Sequence, residues 1–198
     1  MSTDALAPAL SDAALDLILR SARSTHAFSD RAVTDETLRA LYELVKWGPT
    51  AFNAQPGRYV FVRSAAAKAR LGGTLSSSNR AKTLAAPVTC ILAYDTRFHE
   101  HLPPGGGGAS FFKGNPSLAE VTALRNSSLQ GGYLLLAARA LGLSAGPMSG
   151  FDPARLNAEF FADSTWTVNF LVNLGYADGS EPRPREPRLT FEECVRVL

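Results

Sequence analysis

TWTVNFLVNL, residues 165–174, is the stretch that decides the fold, because its β-branched and aromatic side chains favour a strand more strongly than any other part of the chain. Two further stretches, RYVFVR at 58–63 and PVTCILAY at 87–94, also predict strands, and the second is apolar enough to be largely buried. Helical patterns separate the three strands. We therefore expect an α/β or α+β sandwich, built as one domain over residues 1–198.

The helices are predicted from capping residues followed by apolar residues at helical spacing. Ser11 and Thr34 have the side chains of N-caps, and Thr190 with Glu193 has the pattern of a capping box near the C-terminus. The small residues of the longest predicted helix would let another helix approach closely, within the chain or across a dimer. The predicted helices cover residues 11–22, 34–48, 65–75, 117–141 and 190–198.

Composition excludes several classes of function. The formal net charge is only +2, with 19% charged residues of both signs, so the chain lacks the basic stripe of a nucleic-acid-binding protein. No apolar stretch is long enough to cross a membrane, and the N-terminus lacks a signal-peptide pattern, so we expect a cytoplasmic protein. Cys90 and Cys194 have no metal-ligand or nucleophile motif around them and are expected to be reduced thiols.

Residues 95–116 contain two prolines and four consecutive glycines, and this composition predicts a long loop that acts as a lid. Phe98, Phe111 and Phe112 flank the glycines and would be carried over a bound ligand; the alternative is that they pack into the core. The glycines do not follow a strand, which argues against a dinucleotide-binding loop. The neighbouring sequence His99-Glu100-His101 lacks the spacing of helical metal ligands, so no metal is expected.

Several short segments carry polar groups suited to a ligand. Asn53 and Gln55 can read the donors and acceptors of a planar heterocycle, although an ordinary turn is an equal alternative. Asn79 and Lys82 lie three residues apart on one helical face, where a plain surface pair is the alternative. A turn predicted over residues 146–150 would expose backbone N–H groups. Arg183 and Arg185 could clamp a phosphate or belong to a solvated tail.

Taken together and in this order, five segments resemble the nitroreductase family of FMN enzymes, from about Ser21 to the C-terminus. Within that family the chain is most similar to the malonic semialdehyde reductases of the pyrimidine-utilisation pathway, through KWGPT at 46–50, ALRNSS at 123–128 and GPMSGFD at 146–152. The five segments are STHAF at 24–28, PTAFNAQP at 49–56, NRAK at 79–82, GPMSGFD at 146–152 and RPR at 183–185.

The resemblance implies an α+β, three-layer α/β/α sandwich that holds FMN at a homodimer interface, with NADPH or NADH as hydride donor. It implies that Lys82, Ser149 and Gly150 act on the flavin ring during catalysis. One departure is that Ala22 stands where the family usually has arginine, with Arg23 one residue later. The cofactor-binding residues that it implies are Arg23, Ser24, His26, Thr50, Asn53, Gln55, Asn79, Lys82, Ser149, Gly150, Arg183 and Arg185.

The mechanism implied by the resemblance is ping-pong hydride transfer through flavin N5. Lys82 would stabilise the negative charge that builds up on reduction, while a backbone N–H of Ser149 or Gly150 would orient N5. Phe111, Phe112 and Arg125 are the candidate substrate contacts. The favoured second substrate is malonic semialdehyde, reduced to 3-hydroxypropionate. A broad nitroaromatic or quinone reductase is one alternative, and a flavin-binding or sensory protein without turnover is another.

Overall fold

The computed structural model describes residues 9–103, 105, 107–180 and 184–198. Its strands are β1 (Gly57–Val62), β2 (Val88–Asp95), β3 (Ser144–Met148) and β4 (Trp166–Gly175). Its α-helices are α1 (Asp12–Leu15), α2 (Asp35–Val45), α3 (Ala65–Gly72), α4 (Ser77–Ala85), α5 (Gly108–Lys113), α6 (Pro116–Ala140), α7 (Pro153–Phe160) and α8 (Phe191–Cys194). A π-helical turn (Asp16–Arg20) follows α1, and 3-10 turns cover Ala51–Asn53 and Phe98–His101.

The four strands form one antiparallel sheet in the order β1-β2-β4-β3. All eight residues of β2 are buried, as its continuous apolar sequence predicts for a central strand. The stretch at 165–174 is confirmed as a strand; it forms β4, which pairs with β2 on one side and with β3 on the other. Because β4 is central, it sets the positions of both neighbours.

Helices cover both faces of the sheet. On one face, α2 and α6 pack Leu41 and Leu134 against Cys90 of β2. On the other face, α3 and α7 pack Leu71 and Leu156 against Ile91, the next residue of the same strand. Adjacent strand residues point to opposite faces, so β2 contributes to both cores. The arrangement is the expected α+β, three-layer α/β/α sandwich.

The predicted caps are confirmed. Ser11 Oγ accepts from Ala14 N at 3.3 Å, Thr34 Oγ1 accepts from Thr37 N at 3.2 Å, and Thr190 with Glu193 forms the capping box. The last helix, however, ends after one turn. Three helices, α4, α5 and α7, lie outside the predicted helical ranges. For α7 the signal is a standard N-terminus: Asp152 Oδ1 accepts from Arg155 N at 3.0 Å, and the first helical residue is a proline.

The prediction that residues 95–116 form a long irregular loop is wrong. The segment contains the 3-10 turn and α5, and Gly107, with φ of 73°, is the N-cap of α5. Phe98 and Phe112 are buried in a third core cluster with Ala123 of α6, so they cannot cover a ligand as placed. Phe111 alone of the three aromatic residues is exposed. Burial of these apolar side chains against α6 stabilises the helical structure of the segment.

Two features are absent from the described part of the chain. No helix there combines the length and the hydropathy that a membrane span requires. No group of three or more histidine, cysteine and acidic side chains lies close enough together to hold a metal ion.

Candidate functional site

A cavity of about 460 Å³ lies beside the segment that follows the π-helical turn. It brings together four residues that the sequence predicted for cofactor binding: Arg23, Ser24, His26 and Arg185. Arg183 lies outside the described residues. The other lining residues are Ile18, Ala22, Leu135, Leu136, Arg139, Ala145, Pro147, Pro184, Glu186 and Arg188.

Two guanidinium groups converge at one end of this cavity. Arg185 Nη2 donates to the carbonyls of Arg20 and Ala22, at 2.5 and 2.8 Å. Arg23 Nη1 donates to the same two carbonyls, at 3.3 and 3.0 Å. The pKa of Arg185 is lowered by desolvation and by the charges of Arg23 and Arg188, while Arg23 Nε is buried without a hydrogen-bond partner. A bound anion would offset this repulsion and satisfy a donor, which is the chemistry of a phosphate site.

A second group of site residues surrounds the start of α4. Ser76 Oγ and Asn79 Nδ2 both donate to Gly150 O, at 2.9 and 3.0 Å. A Cβ on Gly150 would lie 2.4 Å from Asn79 Nδ2 and 2.7 Å from Ser76 Oγ, so any larger residue would displace the two side chains that donate to Gly150 O. Asn79 therefore holds the segment at Ser149 and Gly150 in place, and half-buried Lys82 lies one turn further along α4.

The turn predicted over residues 146–150 is shorter than expected. Strand β3 runs to Met148 and pairs with β4, so only Ser149 and Gly150 lie beyond the strand. Gly146 is needed within the strand, because a Cβ there would lie 2.3 Å from Thr25 O. This close approach brings β3 against the Arg23 to His26 segment, and Ser24 bridges to Ala145 of β3.

The segment between α2 and β1 has a strained backbone. Phe52, Asn53 and Gln55 have φ of 56°, 52° and 43°, in the left-handed region that glycine usually occupies. Each such residue costs of the order of 1–3 kcal/mol and persists only when its surroundings hold it. Strain of this kind clusters at ligand sites, and it supports the assignment of Asn53 and Gln55 to one.

Three hydrogen bonds hold the strained segment. Thr50 Oγ1 accepts from Gln55 N at 3.1 Å. Asn126 Oδ1 of α6 accepts from Ala51 N at 2.8 Å, and Gln130 Oε1 accepts from Gly57 N at 2.8 Å. Neither Asn126 nor Gln130 is among the site residues predicted from the sequence. Their signal was a pair of amides, four residues apart, on one side of a long helix.

A smaller cavity of about 220 Å³ adjoins the strained segment. Among its charged residues, Arg58 Nη2 lies 2.7 Å from Asp95 Oδ2, and His101 Nε2 lies 3.4 Å from the same oxygen. Burial opposes ionisation of Asp95, but hydrogen bonds from Thr165 and the Arg97 amide, with Arg58, lower its pKa overall. The lining residues are Tyr42, Lys46, Asn53, Ala54, Gln55, Gly57, Arg58, Tyr59, His101 and Gln130.

The site residues therefore form separate groups within one chain. The larger and the smaller cavity have no lining residue in common, so Asn53 and Gln55 do not meet Arg23 and Arg185. Arg125 is exposed on α6 and lines neither cavity.

A large apolar surface is exposed around α6. Trp47 and Phe52 are 78% and 64% exposed, and Phe111 stacks on Phe52 with ring centroids 6.3 Å apart. Many exposed large apolar side chains on one helix and its surroundings favour an interaction surface there. The exposed apolar residues of α6 are Leu118, Val121, Leu124, Leu129, Tyr133 and Leu136, and those of the C-terminal segment are Leu189, Phe191, Val195, Val197 and Leu198.

Comparison with known proteins decides the family. The sequence model of the nitroreductase family matches residues 19–176. The chain belongs to the nitroreductase family. A Ralstonia nicotianae relative, provisionally named NADH dehydrogenase/NAD(P)H nitroreductase, is 53% identical over 194 residues, which cover 96% of this chain and 100% of the relative. A Burkholderia lata relative with the same provisional name is 56% identical over 191 residues, 95% of this chain and 98% of its own.

Solved structures share the fold of this nitroreductase at lower identity. The Bacillus subtilis ydfN structure, provisionally named a nitroreductase, has a TM-score of 0.83 at 24% identity and covers 94% of this chain and 99% of its own. An Exiguobacterium sibiricum structure, also provisionally named a nitroreductase, was solved in complex with FMN. It has a TM-score of 0.81 at 18% identity, and the match covers 96% of this chain and 99% of that structure's chain.

The larger cavity of this nitroreductase has the donor set that FMN requires. Converging guanidinium groups and an unpaired Arg23 Nε suit a phosphate, while Leu135, Leu136 and Pro147 provide apolar surface for a ring system. The residues present therefore fit the cofactor expected for the family.

Proposed function

We propose that this nitroreductase is an FMN-dependent NAD(P)H oxidoreductase. The observation that carries the proposal is the convergence of Arg23 and Arg185 on the carbonyls of Arg20 and Ala22, beside a cavity with apolar walls. The provisional NAD(P)H nitroreductase names of relatives more than 50% identical support the reaction class. The FMN held by a structure of the same fold supports the cofactor.

Each side chain has a role that follows from its position. Arg23 and Arg185, with Ser24 and His26 beside them, bind the phosphate. Arg183 lies outside the described residues and is assigned to the phosphate by the family resemblance alone. Bound FMN supplies a hydride acceptor and donor at its N5 atom. The Gly150 segment, fixed by Asn79 and Ser76, presents backbone groups at a set position, and the Lys82 ammonium stabilises negative charge that builds up nearby on reduction. No side chain of this set is required to shuttle a proton during hydride transfer, and the proton donor to an aldehyde oxygen stays unassigned.

A homodimer completes the site in this proposal. Within one chain Asn53 and Gln55 do not meet the larger cavity, so a partner copy is the natural source of these groups. The exposed apolar residues of α6 and of the C-terminal segment, with Trp47 at 78% exposure, give the surface such a dimer would bury. A monomer that retains flavin would contradict this part of the proposal.

Malonic semialdehyde is the proposed second substrate, as the similarity to that group of reductases suggests. It differs from a neutral aldehyde by an ionised carboxylate, which needs a cation near the flavin. Lys46 lines the smaller cavity together with Asn53 and Gln55 and is better placed for this than Arg125, which lines neither cavity. Arg97 and Lys46 each pair with a nearby glutamate, Glu100 and Glu43, but only Lys46 lines this cavity.

A broad reductase of nitroaromatics or quinones is the second candidate. The observation in its favour is the exposed Phe52–Phe111 pair, whose rings are inclined by only 28° and offer apolar, aromatic surface to a planar acceptor. This candidate shares the cofactor and the first half-reaction with the favoured one.

Two measurements test the proposal. Anaerobic addition of NADPH or NADH to the FMN-loaded protein should bleach the flavin rapidly, and absence of bleaching would leave a flavin-binding protein without turnover. The kcat/KM values for malonic semialdehyde, propanal and a nitroaromatic should then be compared under one set of conditions. Preference for the nitroaromatic, with the two aldehydes alike, would favour the broad reductase.

A further inference from the structure

Lys68 is a buried ammonium group beneath the site. Its residue is 5% exposed on α3, and its Nζ donates to Thr83 O and to Thr89 Oγ1, both at 2.7 Å. Neither acceptor is a carboxylate, and burial lowers the pKa of Lys68 to about 8. A buried charge without a counter-charge is costly, and a methionine would fill similar space without that cost. Packing alone therefore does not explain why a lysine occupies position 68.

The two acceptors belong to a buried polar network. Thr89 Oγ1 of β2 donates to Asn173 Oδ1 of β4 at 2.8 Å, and Asn173 Nδ2 donates to Thr83 Oγ1 at 3.3 Å. Thr83 Oγ1 in turn donates to Met148 Sδ at 3.4 Å. Thr83, Thr89 and Asn173 are each at most 1% exposed. The network joins α3 and α4 to three places in the sheet.

The bond to Thr83 O has a specific effect on α4. This helix ends at Ala85, and the last four carbonyls of a helix have no partner within it. Lys82 O accepts from Ala86 N, whereas Thr83 O accepts from the Lys68 ammonium. A cation at this end also complements the helix dipole. Lys68 thus acts as a C-terminal cap for α4, supplied from another helix.

Both ends of α4 are consequently fixed relative to Gly150. At its start, Ser76 and Asn79 donate to Gly150 O; at its end, the Lys68 network reaches Met148, two residues before Gly150. We propose that Lys68 is a positioning residue of the flavin site. Its ammonium holds the last turn of α4 so that Lys82 and the Ser149–Gly150 backbone keep the arrangement that binds FMN. The inference rests on the proposed function, because it assigns these elements to FMN.

The test compares three variants of the full-length holoprotein. Lys68→Met removes the ammonium with little change of side-chain length, and Thr89→Val removes one of its two acceptors without touching the lysine. Arg70→Met is the matched control: it lies on the same helix but pairs with Glu159 of α7, at 2.5 Å, away from α4. For each protein we would measure FMN affinity, the visible absorption spectrum of bound FMN and the unfolding midpoint of the apoprotein.

Lys68→Met should weaken FMN binding by roughly tenfold or more, the effect of one charge-assisted hydrogen bond, and should alter the flavin spectrum. Thr89→Val should weaken binding less, and Arg70→Met should change neither FMN affinity nor spectrum. Unchanged FMN affinity in both Lys68→Met and Thr89→Val overturns the inference, as does an equal loss in Arg70→Met. Should Lys68→Met fail to fold, Thr89→Val decides alone. A wild-type protein that binds no FMN would instead overturn the proposed function itself.

Discussion

Arg185 Nη2 donates to the carbonyl of Ala22 at 2.8 Å, which fixes a guanidinium from near the C-terminus beside Arg23. If this pair binds the phosphate of FMN, Arg185→Ala should weaken FMN retention by roughly 10 to 150 fold, the range for one charge-assisted contact. Turnover per bound flavin should change much less. Dialysis followed by flavin quantification measures retention. The control is Arg155→Ala, because Arg155 is an exposed arginine of α7. Equal FMN retention in both variants would mean that Arg185 does not bind the phosphate.

Phe111 and Phe112 should behave differently although they are adjacent. Phe112 is 2% exposed in the third core cluster, so Phe112→Ala should destabilise the protein by about 3–5 kcal/mol. Phe111 is 46% exposed and stacks on Phe52, so Phe111→Ala should cost little stability and should lower turnover of planar acceptors with flavin still bound. Urea unfolding and steady-state kinetics separate the two effects. Equal kinetics of Phe111→Ala and wild type would end any role for Phe111 in substrate binding.

Much of the fold was predictable because its signals are local. The strands at 58–63, 87–94 and 165–174 follow from runs of β-branched and aromatic residues, and the caps Ser11, Thr34 and Thr190 from side chains beside their own helices. The segment at 95–116 was misread because its glycines suggested a loop, whereas Gly107 serves as the N-cap of a short helix. Asp152 followed by a proline is the local sequence signal for the start of α7.

The candidate site was predictable only as separate segments. Arg185 donates to the carbonyls of Arg20 and Ala22, which are 165 and 163 residues away, and no local pattern can indicate such a pairing. Asn126 and its partner Ala51 are 75 residues apart, so no local pattern indicates their contact either. Lys68 did leave a signal, since a lysine three residues before Leu71 lies on the apolar face of α3. Whether such a lysine is buried or extends to solvent is decided by tertiary packing.

Stability should depend on the protonation of Lys68 above neutral pH. Burial lowers the pKa of Lys68 to about 8 from its ordinary 10.5, so between these values the unfolded chain binds more protons than the folded one. Because of Lys68, the free energy of unfolding therefore increases as the pH rises, by up to about 3 kcal/mol over that range. Tyr59 and Cys90, whose pKa values burial raises, contribute in the opposite direction.

Subtracting the pH profile of Lys68→Met from that of the wild-type apoprotein cancels these other groups. The difference should rise from pH 8 to 10.5 and stay flat below it. Chemical denaturation at a series of pH values provides the profile. A difference that is flat throughout would mean that Lys68 is solvated rather than buried.

The last prediction concerns recognition of a carboxylate by Lys46. This lysine lines the smaller cavity beside Asn53 and Gln55. In its ion pair the Glu43 side chain is 61% exposed, so Glu43 can move into solvent and a substrate carboxylate can replace it at small cost. Under the proposed function, the wild-type enzyme should prefer malonic semialdehyde to propanal by at least roughly tenfold in kcat/KM, the value of one charge-assisted hydrogen bond. Lys46→Met should remove most of that preference by lowering kcat/KM for the charged aldehyde alone.

The matched control is Lys113→Met, because Lys113 lines a different cavity, with His99 and Glu120, and should leave the preference intact. Bleaching of the flavin by NADPH, measured separately, should be the same in all three proteins, since Lys46 is not assigned to the hydride donor. If Lys46→Met lowers kcat/KM for both aldehydes equally, the lysine supports the strained segment instead of binding substrate. If the wild type already treats the two aldehydes alike, no carboxylate site operates, and the Phe52–Phe111 surface becomes the better guide to the natural acceptor.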